Sequence, residues 1–214
     1  MIGVDVMTTA SMIPVYFLAC YLVGAVPFGF LAGRFLGKVD IRGLGSGNIG
    51  ATNVMRTLGP FPAVLVLLLD ALKGWVAVFG AQQLGFADWV VAGAALAAVG
   101  GHNWPVFLRF RGGRGMATAL GVVIALAPAV AGLLVAVFVA VVALTRYVSL
   151  GSIIAAVLLP ILFFASGWPA PYNVAAVVLA VWAVWRHRPN IERLLAGTEH
   201  RFGQRVDPRH TAGR

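Results

Sequence analysis

Apolar runs long enough to cross a bilayer, separated by loops that are basic at every second connection, constrain this chain more than any other feature. A spanning helix needs about 20 mostly apolar residues, with a range of roughly 17–25. Residues 12–37 and 61–85 meet that length directly. The apolar stretch 116–166 is too long for one span and breaks at Pro128 and at Thr145-Arg146-Tyr147, giving segments 116–127, 129–145 and 149–166. Residues 172–186 form a last segment ending at Trp182 and Trp185, an interfacial aromatic pair. Between these lies 88–101, apolar but short, which runs into Gly100, Gly101 and Pro105. The two short segments, 88–101 and 116–127, flank the most basic loop and read as partial spans leaning on their neighbours. None of the seven alternates with the period of a barrel strand, so all are expected as helices. Only 11% of the 214 residues are charged, too few to give a soluble domain its polar shell. The expected fold is therefore all-α, a polytopic membrane protein forming a single domain over residues 1–214.

Charge placement tests the segment count independently, because cytoplasmic loops carry an excess of Lys and Arg. Lys38, Arg42 and Arg56 follow the first segment, Arg109, Arg111 and Arg114 the third, and Arg146 the fifth. Arg186, Arg188, Arg193, Arg201, Arg205, Arg209 and Arg214 follow the last. The opposite connections hold Asp88 and no basic residue. This alternation predicts an N-terminus outside and a C-terminus in the cytoplasm. The net charge of +9 is then largely topological and needs no nucleic acid to explain it; a basic inner face also attracts anionic lipids or substrates. The first ten residues contain Asp5 and no basic residue, so the first helix is expected to act as an uncleaved signal. The single cysteine, Cys20, excludes an intramolecular disulfide and reads as a small apolar side chain.

Three stretches on the basic side hold more Gly, Asn, His and Thr than a connection requires. The first runs Gly43-Leu44-Gly45-Ser46-Gly47-Asn48-Ile49-Gly50-Ala51-Thr52-Asn53 and leads to Arg56. Its G-x-G-x-x-G would need a preceding strand to bind a dinucleotide, and an apolar helix precedes it instead. Closely spaced glycines still let backbone N–H groups approach an anion, and Arg56 adds a fork suited to phosphate. A glycine-rich turn with Ser and Asn as helix caps explains the same residues equally well. The second runs from Gly100-Gly101-His102-Asn103 through Arg111-Gly112-Gly113-Arg114-Gly115-Met116-Ala117-Thr118, a second glycine and arginine cradle without P-loop spacing. The third runs from Arg186-His187-Arg188-Pro189-Asn190 to Gly197-Thr198-Glu199, with Asn190 placed as the N-cap of a short amphipathic helix. Inside the second segment, Asp70 and Lys73 sit one helical turn apart and are expected to pair with each other.

Together these stretches resemble the bacterial membrane-bound glycerol-3-phosphate acyltransferases that use acyl phosphate as donor. The matching motifs are Ser46 to Asn53 with Arg56, Gly101-His102 through Thr118, and His187 with Asn190-Ile191 and Arg193-Leu194 through Glu199. The second motif departs from the family's usual Lys-Gly-Gly-Lys-Gly-Val, since Arg111 and Arg114 stand at the lysine positions and Met116 at the valine. The resemblance implies transfer of an acyl group from acyl phosphate to the 1-hydroxyl of sn-glycerol 3-phosphate. The products would be lysophosphatidate and inorganic phosphate, in the first step of phospholipid synthesis. It implies a multi-pass protein of the bacterial plasma or inner membrane with its active site on the cytoplasmic face. Carried over residue by residue, Gly112, Gly113, Arg114, Gly115 and Thr118 would hold the acyl phosphate. Ser46, Arg56, Arg114, His187 and Asn190 would hold glycerol 3-phosphate, with Ser46, His187 and Asn190 at the chemistry. Asn48, Thr52, Asn53, His102 and Glu199 would support them. The proton acceptor is left open between His187, His102 and a substrate phosphate oxygen.

No nucleophilic Cys or Ser-His-Asp set is evident, so transfer is expected to be direct. The four histidines are scattered and carboxylates few, so neither a metal nor a cofactor is expected. A transporter would place its site near the midplane, where only Asp70 and Lys73 qualify, and a binding-only scaffold has no use for two glycine cradles. The implied partners are the two small-molecule substrates and the lipid bilayer; oligomeric state is open and a monomer suffices.

Overall fold

The computed structural model describes residues 6–204, with side chains from Ser11 onward. Asp5 and the tail residues Arg205, Arg209 and Arg214, part of the charge reading above, lie outside the described residues. Ten α-helices and two short 3-10 turns make up the described chain, with no strand among them. The helices are α1 (Val6–Ala25), α2 (Phe28–Phe35), α3 (Ala51–Leu58), α4 (Pro60–Gln83) and α5 (Asp88–Asn103). They continue as α6 (Met116–Leu126), α7 (Pro128–Thr145), α8 (Val148–Ala165), α9 (Ala170–Arg186) and α10 (Arg188–Leu195).

Five stretches are long and apolar enough to cross a membrane: 11–35, 60–83, 88–108, 128–145 and 148–165. The chain is thus an all-α polytopic membrane protein. The seven expected segments are all helical, but their lengths differ from the sequence reading. The 88–101 segment continues through Asn103 and a 3-10 turn at Val106–Leu108, which brings it to 21 residues. The two shorter apolar helices are α6 and α9. With 11 residues, α6 rises about 16 Å, roughly half of a ~30 Å hydrocarbon core.

The expected boundaries at Pro128 and Thr145 hold. Pro128 opens α7, and Arg146 ends it in the left-handed conformation with φ 63°. The stretch 12–37, read as one helix, is two. Pro27 has no N–H to donate and disfavours helix at Val26, so α1 stops at Ala25 and α2 restarts at Phe28. Pro14 and Pro160 lie inside α1 and α8 without ending them, so proline alone does not mark the break.

Helix α1 packs on α5, α4 on α6, and α8 on both α7 and α9. Small residues let these backbones approach, as apolar helices in lipid require. A Cβ on Gly74 would strike the Thr118 carbonyl, and one on Gly121 the Ala71 carbonyl, so α4 and α6 meet at two glycines one from each helix. Gly24 and Gly101 do the same for α1 and α5 against the Ala98 and Tyr21 carbonyls. At one end of the bundle, Tyr172 of α9 donates to Asp88 of α5 at 2.8 Å. The polar loops gather at the other end.

Candidate active site

The first glycine loop is held open by one side chain. Asn53 Nδ2 donates to the carbonyls of Ile41 (3.1 Å) and Leu44 (3.0 Å), and its Oδ1 accepts from the Ser46 N–H at 2.9 Å. Gly45 and Gly47 take positive φ of 57° and 70° to make the turn. Gly50 then caps α3, which carries Thr52 and Arg56 into the bundle. Asn53 is 1% exposed, so its part is to shape the loop rather than to meet a ligand.

The second loop is clasped from α9. Arg186 donates through Nε to the Gly113 carbonyl at 2.8 Å and through Nη2 to the Gly112 carbonyl at 2.5 Å. The Gly113 N–H donates to the His102 carbonyl at 3.1 Å. A Cβ on Gly112 would strike that carbonyl, and one on Gly113 would strike His102 Nε2. The glycines are therefore fixed by close approach as well as by turning. Beneath the loop, His102 Nδ1 lies 2.9 Å from Lys73 Nζ and 3.5 Å from Asp70. Lys73 also reaches Asp70 at 2.8 Å and donates at 3.1 Å to the Val26 carbonyl, which accepts from the Phe28 N–H at 3.2 Å as well. The expected Asp70–Lys73 pair is present, and His102 joins it to the glycine loop. Lys73 meets the His102 ring at Nδ1, and Gly113 packs closely against its Nε2 edge.

The third stretch supplies His187, 1% exposed at the junction of α9 and α10. Its Nδ1–H donates to the Ala183 carbonyl at 2.7 Å, which leaves the Nε2 lone pair as the ring's acceptor. Burial and the neighbouring Arg114 push His187 down to about 4, so the ring is neutral at pH 7. Unfolding returns it to an ordinary histidine, which binds a proton first as pH falls. Stability should therefore drop as pH falls from about 6.5 towards 4, a slope that His187→Gln should reduce. Thermal midpoints of both proteins at pH 7 and pH 5 measure it.

Asn190 is not an N-cap. It lies in the first turn of α10, where its N–H already bonds the His187 carbonyl, and its side chain donates to Glu199 Oε1 at 2.7 Å. Ser149 donates to the same oxygen at 3.0 Å, and Arg193 Nε to Oε2 at 2.7 Å. Burial would raise the Glu199 carboxyl, but these three donors outweigh it and hold the group below the usual carboxylate range. Arg146 fixes the segment that carries Glu199. Its carbonyl accepts from the Phe202 N–H at 2.6 Å, and its Nη2 donates back to the Phe202 carbonyl at 3.0 Å.

These loops close around a cavity of about 420 Å³. Asn48, Thr52, Arg56, Arg114, His187 and Glu199 form its polar mouth, with Asp70, His102 and Gly115 also on the wall. The rest is apolar, including Leu134, Phe138 and Val139 of α7, Leu159 of α8 and Leu179 of α9. Among the described residues, neither Arg56 nor Arg114 belongs to an ion pair within 4.0 Å. Burial lowers both guanidiniums, Arg114 to about 10, so both stay charged at neutral pH. Two cations with one carboxylate, Glu199, near them and an apolar arm behind suit an amphiphile with an anionic head. Ser46, Asn53, Gly112, Gly113, Thr118 and Asn190 do not line this cavity. Ser46 is half-buried, whereas Thr118 is fully buried at the α4–α6 crossing with its hydroxyl unpartnered. Ser149 carried no signal in the sequence, Arg186 was read there as topological charge, and Arg193 counted as topological charge and as part of the third motif.

The family model described as glycerol-3-phosphate acyltransferase matches residues 14–197. The chain belongs to the glycerol-3-phosphate acyltransferase family. Every candidate site residue except Glu199 lies inside the matched span. A glycerol-3-phosphate acyltransferase of Synechococcus sp. (strain CC9902) is 49% identical over 185 residues, covering 86% of this chain and 92% of that relative. That of Thermus thermophilus is 49% identical over 193 residues, covering 90% of this chain and 96% of its own. Among solved structures, the chain is similar to PlsY (YgiH), an integral membrane glycerol 3-phosphate acyltransferase, in its glycerol 3-phosphate form. The TM-score is 0.85 and the identity 44%, covering 89% of this chain and 96% of the other. The lysophosphatidic acid form of PlsY gives a TM-score of 0.83 at 43% identity, covering 90% and 96%. The fold and the three motifs thus agree on one family.

Proposed function

We propose that this protein transfers an acyl group from acyl phosphate to the 1-hydroxyl of sn-glycerol 3-phosphate, releasing lysophosphatidate and inorganic phosphate. The observation that carries this reading is a cavity with two arginines outside any ion pair at its mouth and an apolar arm behind them. The loop Gly112 to Gly115 with Arg114 holds the donor phosphate, and the acyl tail lies in the apolar arm. Thr118 serves that loop by fixing the start of α6 against Gly74. Arg56, with Ser46 and His187, holds glycerol 3-phosphate, and Asn190 acts through Glu199.

The C1 hydroxyl oxygen attacks the acyl carbon, the acyl–oxygen bond to phosphate breaks, and phosphate leaves with the bonding electrons. The hydroxyl proton ends on phosphate. With its pKa pushed down to about 4, His187 is a weak base, so its Nε2 orients the hydroxyl by accepting its hydrogen bond while a phosphate oxygen takes the proton. The activated donor leaves the protein chiefly to position two anions and offset their charge. Cys20, 4% exposed in α1, is not among the residues lining the cavity, which supports direct transfer.

Seven membrane crossings, an outside N-terminus and a cytoplasmic site in a bacterial inner membrane complete the proposal. Its support is that the mouth is built from basic connections, whereas residues 84–87, 127 and 166–169 contain no Lys or Arg. The whole chain acts as one domain, since the cavity draws on residues from Asn48 to Glu199.

Purified protein in lipid, supplied with palmitoyl phosphate, palmitoyl-CoA or palmitoyl-acyl-carrier protein together with glycerol 3-phosphate, tests the reaction. Lysophosphatidate should form from acyl phosphate with equimolar phosphate, and product from a thioester donor alone would contradict the donor assignment. Arg186→Ala releases the two glycine carbonyls and should raise KM for acyl phosphate about 10-fold or more, as misplacement of a binding loop does. KM for glycerol 3-phosphate, measured in the same titrations, should change little.

A further inference from the structure

The apolar arm has a definite floor, and that floor separates it from a second void. Three side chains line both spaces: Val123 of α6, Leu159 of α8 and Leu179 of α9. They are 3%, 5% and 5% exposed, so all three are packed. The space beneath is small, about 10 Å³, and is bounded further down by Phe163 and Tyr172. Helix geometry puts the three floor residues at a common depth. From Ser149 at the mouth to Leu159 is about 15 Å along α8, and from His187 to Leu179 about 12 Å along α9, at a rise of roughly 1.5 Å per residue. Gly115 to Val123 is likewise about 12 Å along α6.

We propose that Val123, Leu159 and Leu179 set the acyl-chain length this protein prefers, by stopping the tail at the bottom of the apolar arm. The inference rests on the acyl-phosphate reading above and adds a specificity determinant to it. An extended chain advances roughly 3.6 Å per three bonds, so 12–15 Å takes up about 10–12 bonds of an extended tail. Methylenes within that depth gain buried apolar surface, and methylenes beyond it meet packed leucines. A hydrophobic pocket discriminates a single methylene by roughly 10–200-fold when the fit is tight. Leu159→Ala joins the arm to the void below and lengthens it. Ala156, one turn nearer the mouth on the same wall of α8, offers the opposite change: Ala156→Leu raises the floor.

The test measures kcat/KM for saturated acyl phosphates from 8 to 18 carbons in the wild type, Leu159→Ala and Ala156→Leu, all in the same lipid. The wild-type profile should rise with chain length and then break. Leu159→Ala should move the break to longer chains, with at least a ~10-fold gain in the ratio of long-chain to short-chain kcat/KM. Ala156→Leu should move it to shorter chains. Should Leu159→Ala fail to fold, Ala156→Leu decides alone, since it fills space and removes no packing. Profiles that break at the same length in every folded variant overturn the floor, because the tail then leaves sideways into the bilayer. Absence of wild-type turnover at every chain length overturns the acyl-phosphate reading itself, and the floor with it.

Discussion

Replacing Arg114 with alanine is expected to lower kcat/KM by about 10²–10³-fold while leaving the protein folded. Arg114 faces the cavity without an ion pair; the Glu199 carboxylate acts on it through space, against the three cations Arg193, Arg56 and Arg186. Such a group is poorly placed to stabilise the empty protein and well placed to meet an anion. Charge-assisted hydrogen bonds from a guanidinium fork are among the strongest available in a site shielded from water. The alanine variant should accordingly match or exceed the wild-type thermal midpoint, because a half-buried and repelled charge has been removed. Arg114→Lys keeps the charge but loses the fork, and should retain most binding with a smaller loss of turnover. Initial rates over both substrates, with thermal midpoints alongside, separate loss of function from loss of fold. A large fall in midpoint with Arg114→Ala would assign it a structural role instead.

Lys73→Met should destabilise the protein by about 3–5 kcal/mol, the usual consequence of stranding one partner of a buried ion pair. Asp70 and Lys73 side chains are each 2% exposed, so the surviving carboxylate stays buried with only His102, 3.5 Å away, to meet it. The 2.8 Å contact is chiefly electrostatic, since Asp70 Oδ1 lacks a well-aligned hydrogen bond. The loss extends further, because Lys73 also serves His102 Nδ1 and the Val26 carbonyl. The double variant Asp70→Leu/Lys73→Met should recover much of the stability, since apolar replacement of a whole buried pair is often neutral. It should still be slower than wild type, because His102 then loses the contact that holds it under Gly113. Thermal inactivation of the single and double variants in one detergent gives the coupling directly. Equal losses in single and double variants would show that the pair is not what stabilises this region.

The contrast between these two basic residues explains what was legible in the sequence. Helix type and most boundaries were legible because composition and punctuation act locally, as at Pro128 and Arg146. The break at Pro27 was not, because Pro14 and Pro160 are tolerated within helices. What distinguishes Pro27 is tertiary: Lys73, 47 residues away, takes up the Val26 carbonyl. Arg56 and Arg114 were readable as candidates from their glycine-rich motifs and His187 from the family resemblance, and all three line one cavity. Arg186 was not, because its partners lie 73 and 74 residues earlier and its charge already had a topological explanation. Asn190 was read as the N-cap of its helix and, by resemblance, as a glycerol 3-phosphate ligand; the fold puts it in the first turn of α10, with its side chain on Glu199 and off the cavity wall.

Direct transfer in one cavity is tested best by mixing excess purified protein in lipid with acyl phosphate alone and following phosphate release in a single turnover. No phosphate should appear until glycerol 3-phosphate is added, and then phosphate and lysophosphatidate should form together in equal amounts. A stoichiometric burst of phosphate before the acceptor arrives would mean an acyl-enzyme, and would contradict transfer between two substrates held side by side.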